Sequence, residues 1–152
     1  MEEKKYIHRH LETVIKEAVQ YFPVISLTGP RQSGKTTLLK YLFPEFKQYS
    51  MKDLHIRAFA ENDPVAFLNQ YPDGMFIDEV QKAPALLEYI QGIVDNDPKR
   101  RFLLTGSSNL ELLQRMTESL PGRAGVYELL PVSLGELQTI KQYRLLAVQV
   151  VR

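Results

Sequence analysis

Apolar residues at the start of the chain follow two different rhythms. Ile7, Leu11, Val14, Ile15, Ala18 and Phe22 recur three and four positions apart, which predicts an amphipathic helix ending before Pro23. "VISLT" (24–28) is instead a continuous, β-branched run between Pro23 and Gly29, the mark of a buried strand. "KTTLLKYLF" returns to helical spacing and is closed by Pro44, and "FKQYSM" is a weaker strand candidate. "DLHIRAFAENDPVAFLNQY" reads as two short helices, the second opened by Asp63-Pro64 in cap and first-turn positions. "GMFIDEV" (74–80) predicts a second buried strand that ends in two acids. "APALLEYIQGIVDND" carries Leu86, Leu87, Ile90, Ile93 and Val94 at helical spacing. "RFLLTG" (101–106) is a third strong strand, with a helix over roughly 109–116 after it. "GVYELLPVS" offers another strand stopping at Pro131, and Ser133 with Glu136 has the form of a capping box that starts a further helix. "QTIKQYRLLAVQVVR" fits helix or strand equally. Strands alternating with helices predict a parallel sheet covered on both faces.

Composition narrows the partners more than the fold. The 152 residues make one domain, 1–152, and 19 basic against 18 acidic residues leave a net charge of +1. That balance does not indicate nucleic acid or an anionic membrane surface. Without cysteine there is no disulfide, thiolate or zinc-thiolate chemistry. The charged start "MEEKKYIHRHLE" lacks the apolar core of a signal peptide, and no apolar run approaches the roughly 20 residues of a membrane span. A cytoplasmic protein is expected. His8, His10 and His55 show no metal-ligand spacing with acids and read as surface residues.

Chemistry enters at the end of the first strand. Gly29, Gly34, Lys35 and Thr36 fit G-x-x-x-x-G-K-[ST], with a strand before and a helix after. A polyphosphate needs several N–H donors converging on it. Glycine tolerates the positive φ that curls a loop into such a nest, and the helix adds its unpaired first amides and positive dipole end. Pro30, Arg31, Gln32, Ser33 and Thr37 complete the nucleotide-contacting stretch. Lys35 supplies charge for the β- and γ-phosphates, and the Thr36 hydroxyl is placed to ligate Mg²⁺.

Asp78 and Glu79 supply the second half. An acid at a strand tip near the loop serves the metal, which gives Asp78 that role. Its neighbour Glu79 can swing toward the γ-phosphate and polarise a water as general base. The third strand ends in Thr105, Ser107, Ser108 and Asn109, whose polar groups reach the carboxyl edge of the sheet or cap the next helix. Ser107 is taken as the residue that senses the γ-phosphate or the attacking water. Arg123, in "LPGRAGVYELL", is a cation that a neighbouring subunit can offer to phosphoryl oxygens.

Together these segments resemble the AAA+ ATPases, and more narrowly the bacterial and archaeal AAA_14 ATPases usually followed by a DUF4143 domain. The resemblance rests on "LTGPRQSGKTTLL", "FIDEVQKAPALL", "RFLLTGSSNLELL" and "ESLPGRAGVYELLPVSLGEL", and runs from about residue 5 to residue 137. It implies a P-loop three-layer sandwich with a parallel five-stranded sheet in order 5-1-4-3-2. It makes Gly29, Gly34, Lys35 and Thr36 the Walker A motif and Asp78 and Glu79 the Walker B pair. It sets the first sensor at the polar end of "LLTGSS" and an arginine finger at Arg123, which implies homo-oligomeric contact. In such proteins a helical lid and a C-terminal domain follow; both are expected to lie outside this chain, and neither Arg144 nor Arg152 matches the lid's second sensor arginine.

Three functions compete. The first is an Mg²⁺-dependent ATPase acting as switch or motor. The second is a P-loop kinase phosphorylating a small molecule, against which a water-polarising Glu79 argues. The third is a nucleotide-binding module without turnover. A GTPase is disfavoured because no Asn-Lys-x-Asp segment occurs, and adenine is the expected base.

Overall fold

Five parallel strands organise the molecule. The computed structural model describes residues 6–138. Helix α1 (Leu11–Tyr21) leads into β1 (Val24–Thr28), followed by α2 (Lys35–Leu42), β2 (Gln48–Ser50), α3 (Leu54–Asn62), α4 (Pro64–Leu68) and β3 (Gly74–Asp78). A single 3₁₀ turn (Val80–Lys82) separates β3 from α5 (Leu86–Asn96), and β4 (Arg101–Gly106), α6 (Leu110–Ser119), β5 (Ala124–Glu128) and α7 (Leu134–Gln138) complete the order. The sheet runs β2-β3-β4-β1-β5. Read from the other edge, this is the expected 5-1-4-3-2.

Side chains on the central strands alternate between two cores. Val24, Met75, Ile77, Phe102 and Leu104 face one side with Met51, Phe67, Ile90 and Met116, drawn from the β2 exit and from α4, α5 and α6. Ile25, Leu27, Phe76 and Leu103 face the other with Ile15 of α1 and Leu38 and Leu39 of α2. Because both faces are covered, β1 and β3 are buried at every position, which explains their continuous apolar spelling.

Register then fixes the site. Thr28 pairs with Gly106 of β4 and Glu128 of β5, Ser50 pairs with Asp78, and Ile77 pairs with Leu104. In a parallel sheet all these carboxyl ends fall on one edge, and β1 is where the chain's path reverses, the place where open α/β sheets form a crevice.

The boundaries depart from expectation in ways with local causes. β3 ends at Asp78 rather than at residue 80, because Glu79 adopts the left-handed conformation (φ 59°, ψ 49°) and starts the 3₁₀ turn. β5 stops at Glu128, well before Pro131, and α6 continues to Ser119. α1 begins only at Leu11, since residues 6–10 form an irregular segment. The capping-box helix exists: Ser133 and Glu136 exchange side-chain to backbone bonds at the start of α7. The stretch from 139 to 152, readable either way in sequence, lies outside the described residues. Among the described residues no helix is long and apolar enough to cross a membrane.

Candidate functional site

Past Thr28 the chain turns at Gly29 (φ +150°), where a Cβ would lie 2.3 Å from the Leu129 carbonyl oxygen. Only glycine permits that approach. The next four residues form a tight turn in which Gln32 takes φ 59° and the buried Ser33 hydroxyl donates to the Pro30 carbonyl at 2.9 Å. A non-glycine residue held there costs about 1–3 kcal/mol, a strain typical of ligand clamps. Gly34 (φ +94°) is the N-cap of α2, so the loop passes straight into the unpaired amides of the helix's first turn.

Lys35 curls back over this loop, its Nζ donating to the Gly29 carbonyl at 3.0 Å and the Pro30 carbonyl at 2.7 Å. Burial pulls its pKa below the ordinary lysine value, against the opposing pull of Glu79 and Asp78. A cleft of about 430 Å³ opens here, with Arg31, Lys35, Thr36, Thr37, Lys52 and Glu79 in its walls. A second cleft of about 430 Å³ flanks Gly34 on the other side, walled by Tyr6, Ile7, Leu38, Tyr41 and Val132.

The two halves predicted separately meet at Asp78. Its Oδ1 accepts from the Thr36 hydroxyl at 2.6 Å and from the Thr105 hydroxyl at 2.6 Å, and its Oδ2 accepts from Ser50 at 3.3 Å. A buried carboxylate ringed by hydroxyls, beside a threonine that opens the loop helix, is a set of hard oxygens. Mg²⁺ suits it, because that ion takes one or two protein groups and keeps phosphate and water for the rest. Among the described residues no cluster of three or more His, Cys, Asp or Glu offers an all-protein metal cage. Glu79 is next in line. Its backbone N–H donates to Thr105 Oγ1 at 3.1 Å, Lys52 Nζ lies 3.8 Å from Oε1, and the Gln81 side-chain amide donates to Oε2.

The structure sorts the remaining candidates. Ser107 lies just past the end of β4, half-buried, and hydrogen-bonds to neither acid; Thr105, two residues earlier, contacts both. Ser108 donates to Glu128 at 3.2 Å, while Asn109 caps α6 by accepting from the Leu112 N–H at 2.8 Å. Arg123 precedes β5 at the opposite, amino edge of the sheet, about 16 Å of strand away from the loop. There it forms a two-pronged pair with Asp95, Nη2 to Oδ2 at 3.0 Å, and also donates to the Pro121 carbonyl. Within one chain it is not brought to the site.

One buried residue of the site carried no sequence signal. Arg9, from the irregular N-terminal segment, donates to the Ser33 carbonyl at 2.6 Å and to the Leu130 carbonyl at 2.5 Å, with its Nε 3.3 Å from Glu136 Oε1. It straps the phosphate loop to the exit of β5 and the start of α7. In sequence it is one charge in a run of charges, and only the fold reveals its partners.

Residues 21–138 match the family AAA_14, described as an AAA domain. The uncharacterized proteins Rv2008c of Mycobacterium tuberculosis and Mb2031c of Mycobacterium bovis are each 33% identical over 117 residues, covering 76% of this chain and 26% of theirs. The chain thus spans about a quarter of the length of these curated relatives. Among solved structures, the Walker-type ATPase PABY2304 of Pyrococcus abyssi is similar at a TM-score of 0.60 and 18% identity, over 93% of this chain and 59% of that one. A signal transduction ATPase with numerous domains from Pyrococcus horikoshii, carrying a tetratricopeptide repeat sensor, is similar at 0.58 and 14%, over 93% of this chain and 26% of that one. At such identities the likeness concerns the fold.

Proposed function

The chain belongs to the AAA_14 family of AAA domains, within the P-loop ATPases, and from that premise we propose that it binds ATP with Mg²⁺ and hydrolyses it as the nucleotide-driven switch or motor of a larger protein. The observation that carries this reading is the pair of 2.6 Å bonds on Asp78 Oδ1, from Thr36 of the loop and Thr105 of β4. They tie the loop to Asp78 and β4, and the Glu79 N–H on the same Thr105 hydroxyl brings the second acid alongside.

In this reading the amides of residues 30–37 and the Lys35 ammonium bind the β- and γ-phosphates. Thr36 and Asp78 would hold Mg²⁺, which when bound supplies charge neutralisation across those phosphates. The base occupies the second cleft, whose apolar walls of Ile7, Leu38 and Val132 and aromatic Tyr6 and Tyr41 suit a flat purine. Glu79 orients a water and accepts its proton at the carboxylate as the oxygen attacks the γ-phosphorus and the bond from that phosphorus to the β–γ bridging oxygen breaks, releasing ADP and phosphate. Ser107, beyond the two acids, is the residue left to touch the γ-phosphate. Arg123 acts only on nucleotide held by a second copy, after releasing Asp95. The remainder of a longer protein would supply the load.

Glu79→Gln tests the assignment. Phosphate release should fall by about 10²–10⁴-fold with ATP affinity retained, whereas Lys35→Ala should abolish measurable affinity with the fold intact. Label passing from ATP to a small acceptor instead of water would establish the kinase. Equal Mg-ATP affinity in wild type and Lys35→Ala would reject the phosphate loop itself.

A further inference from the structure

Gln81 sits in the 3₁₀ turn directly after the acid pair and is not needed by the reading above. Its side-chain amide nevertheless makes one hydrogen bond, from Nε2 to Glu79 Oε2. A primary amide can face a carboxylate only through its NH₂ end, because the carbonyl end would set two acceptors against each other. That orientation leaves Oε1 buried and without a hydrogen-bond partner among the described residues. Buried polar atoms are nearly always satisfied, so an orphan of this kind needs a reason.

The surroundings show that the slot is shaped for this side chain. Gly106, at the end of β4, lies against it: a Cβ there would come within 3.0 Å of Gln81 Oε1 and 2.4 Å of Leu112 Cδ2. Val80 and Leu112 supply apolar walls. An apolar residue would fill such a slot without leaving an orphan acceptor, so packing does not account for glutamine. Its bond to Glu79 does.

We propose that Gln81 is a positioning residue for Glu79, its amide fixing one carboxylate oxygen so that the other is presented to the attacking water. The inference rests on the hydrolase reading of the site. Glu79 needs such a restraint. Its backbone is in a left-handed turn, and the ion pair on its other oxygen is long, at 3.8 Å, to a lysine whose side chain is 57% exposed. An exposed pair of that kind fixes geometry weakly, whereas a misplacement of about 1 Å at a reacting group can cost about 100-fold in rate.

The test is Gln81→Met, which keeps the length of the side chain and removes both the donor and the orphan acceptor, with Gln81→Leu as a second variant. Thermal midpoint, Mg-ATP affinity by calorimetry and phosphate release are measured on the same preparations. The expected result is a midpoint at or above wild type, unchanged affinity, and turnover lower by about 10- to 100-fold. In the Glu79→Gln background, Gln81→Met should cause no further loss, because it acts through that carboxylate. Turnover that stays at the wild-type level or rises overturns the proposal, as does an equal fold-loss in the Glu79→Gln background. Wild-type protein that binds ATP and releases no phosphate overturns the hydrolase reading and this inference with it; an active wild type with an equally active Gln81→Met overturns the inference alone.

Discussion

Glu136 offers a quantitative test of how the phosphate loop is strapped in place. Its Oε1 accepts from the His10 N–H at 3.0 Å and lies 3.3 Å from Arg9 Nε, while Oε2 accepts from the Ser133 N–H at 2.9 Å. Burial alone would push this carboxyl up. The Ser133 and His10 amides and the Arg9 guanidinium outweigh it and hold the pKa down at about 2, against an ordinary 4.5. The folded value lies below the unfolded one, so the ionised carboxylate stabilises the fold above pH 4.5, and that stabilisation disappears as pH falls from there to about 2. The displacement corresponds to about 3 kcal/mol, a large part of a typical net stability.

Glu136→Gln keeps the shape and removes the charge, and its NH₂ end must confront an N–H donor on one side. At pH 7 the variant should be less stable by about 3 kcal/mol in urea unfolding. Between pH 5 and 2.5 the wild type should lose stability more steeply, until the two curves converge near pH 2. Parallel curves across that range, or a difference at pH 7 below about 0.5 kcal/mol, would refute the argument that the strap is held by charge.

Two further substitutions probe the site. Thr105→Val removes the hydroxyl that serves both acids. It should cost about 1–3 kcal/mol in unfolding free energy together with most of the turnover, while Thr105→Ser retains both; a valine variant with wild-type turnover would remove Thr105 from the machinery. Gly29→Ala sets a methyl 2.3 Å from the Leu129 carbonyl. It should lower Mg-ATP affinity at least tenfold by calorimetry and lower stability by about 1–3 kcal/mol, and retained affinity would show that the loop does not need this close contact.

How much of this was legible in the sequence depended on whether the signal was local. β1 and β4 were readable to the residue because a strand buried on both faces spells an unbroken apolar run, and the loop was readable because its chemistry demands glycines at fixed spacing. The acid pair was visible, but not that Glu79 leaves the strand, since a positive φ at a non-glycine residue has no spelling. The residues that complete the site lie 24 to 42 positions from their partners: Arg9 on Ser33, Thr105 on Asp78, Ser50 on Asp78 and Thr36 on Asp78. The Thr105 and Ser50 contacts follow from strand order and register, whereas those of Arg9 and Thr36 come from the irregular N-terminal segment and the first turn of α2. Once β4 is known to lie between β1 and β3, Ile77 beside Leu104 sets Thr105 next to Asp78, and a choice among Thr105, Ser107, Ser108 and Asn109 that residue type left open becomes a question of which strand position is level with the acid. By the same logic Ser107 lies two positions past the level of Asp78, beyond the end of β4, which is why it bonds to neither acid.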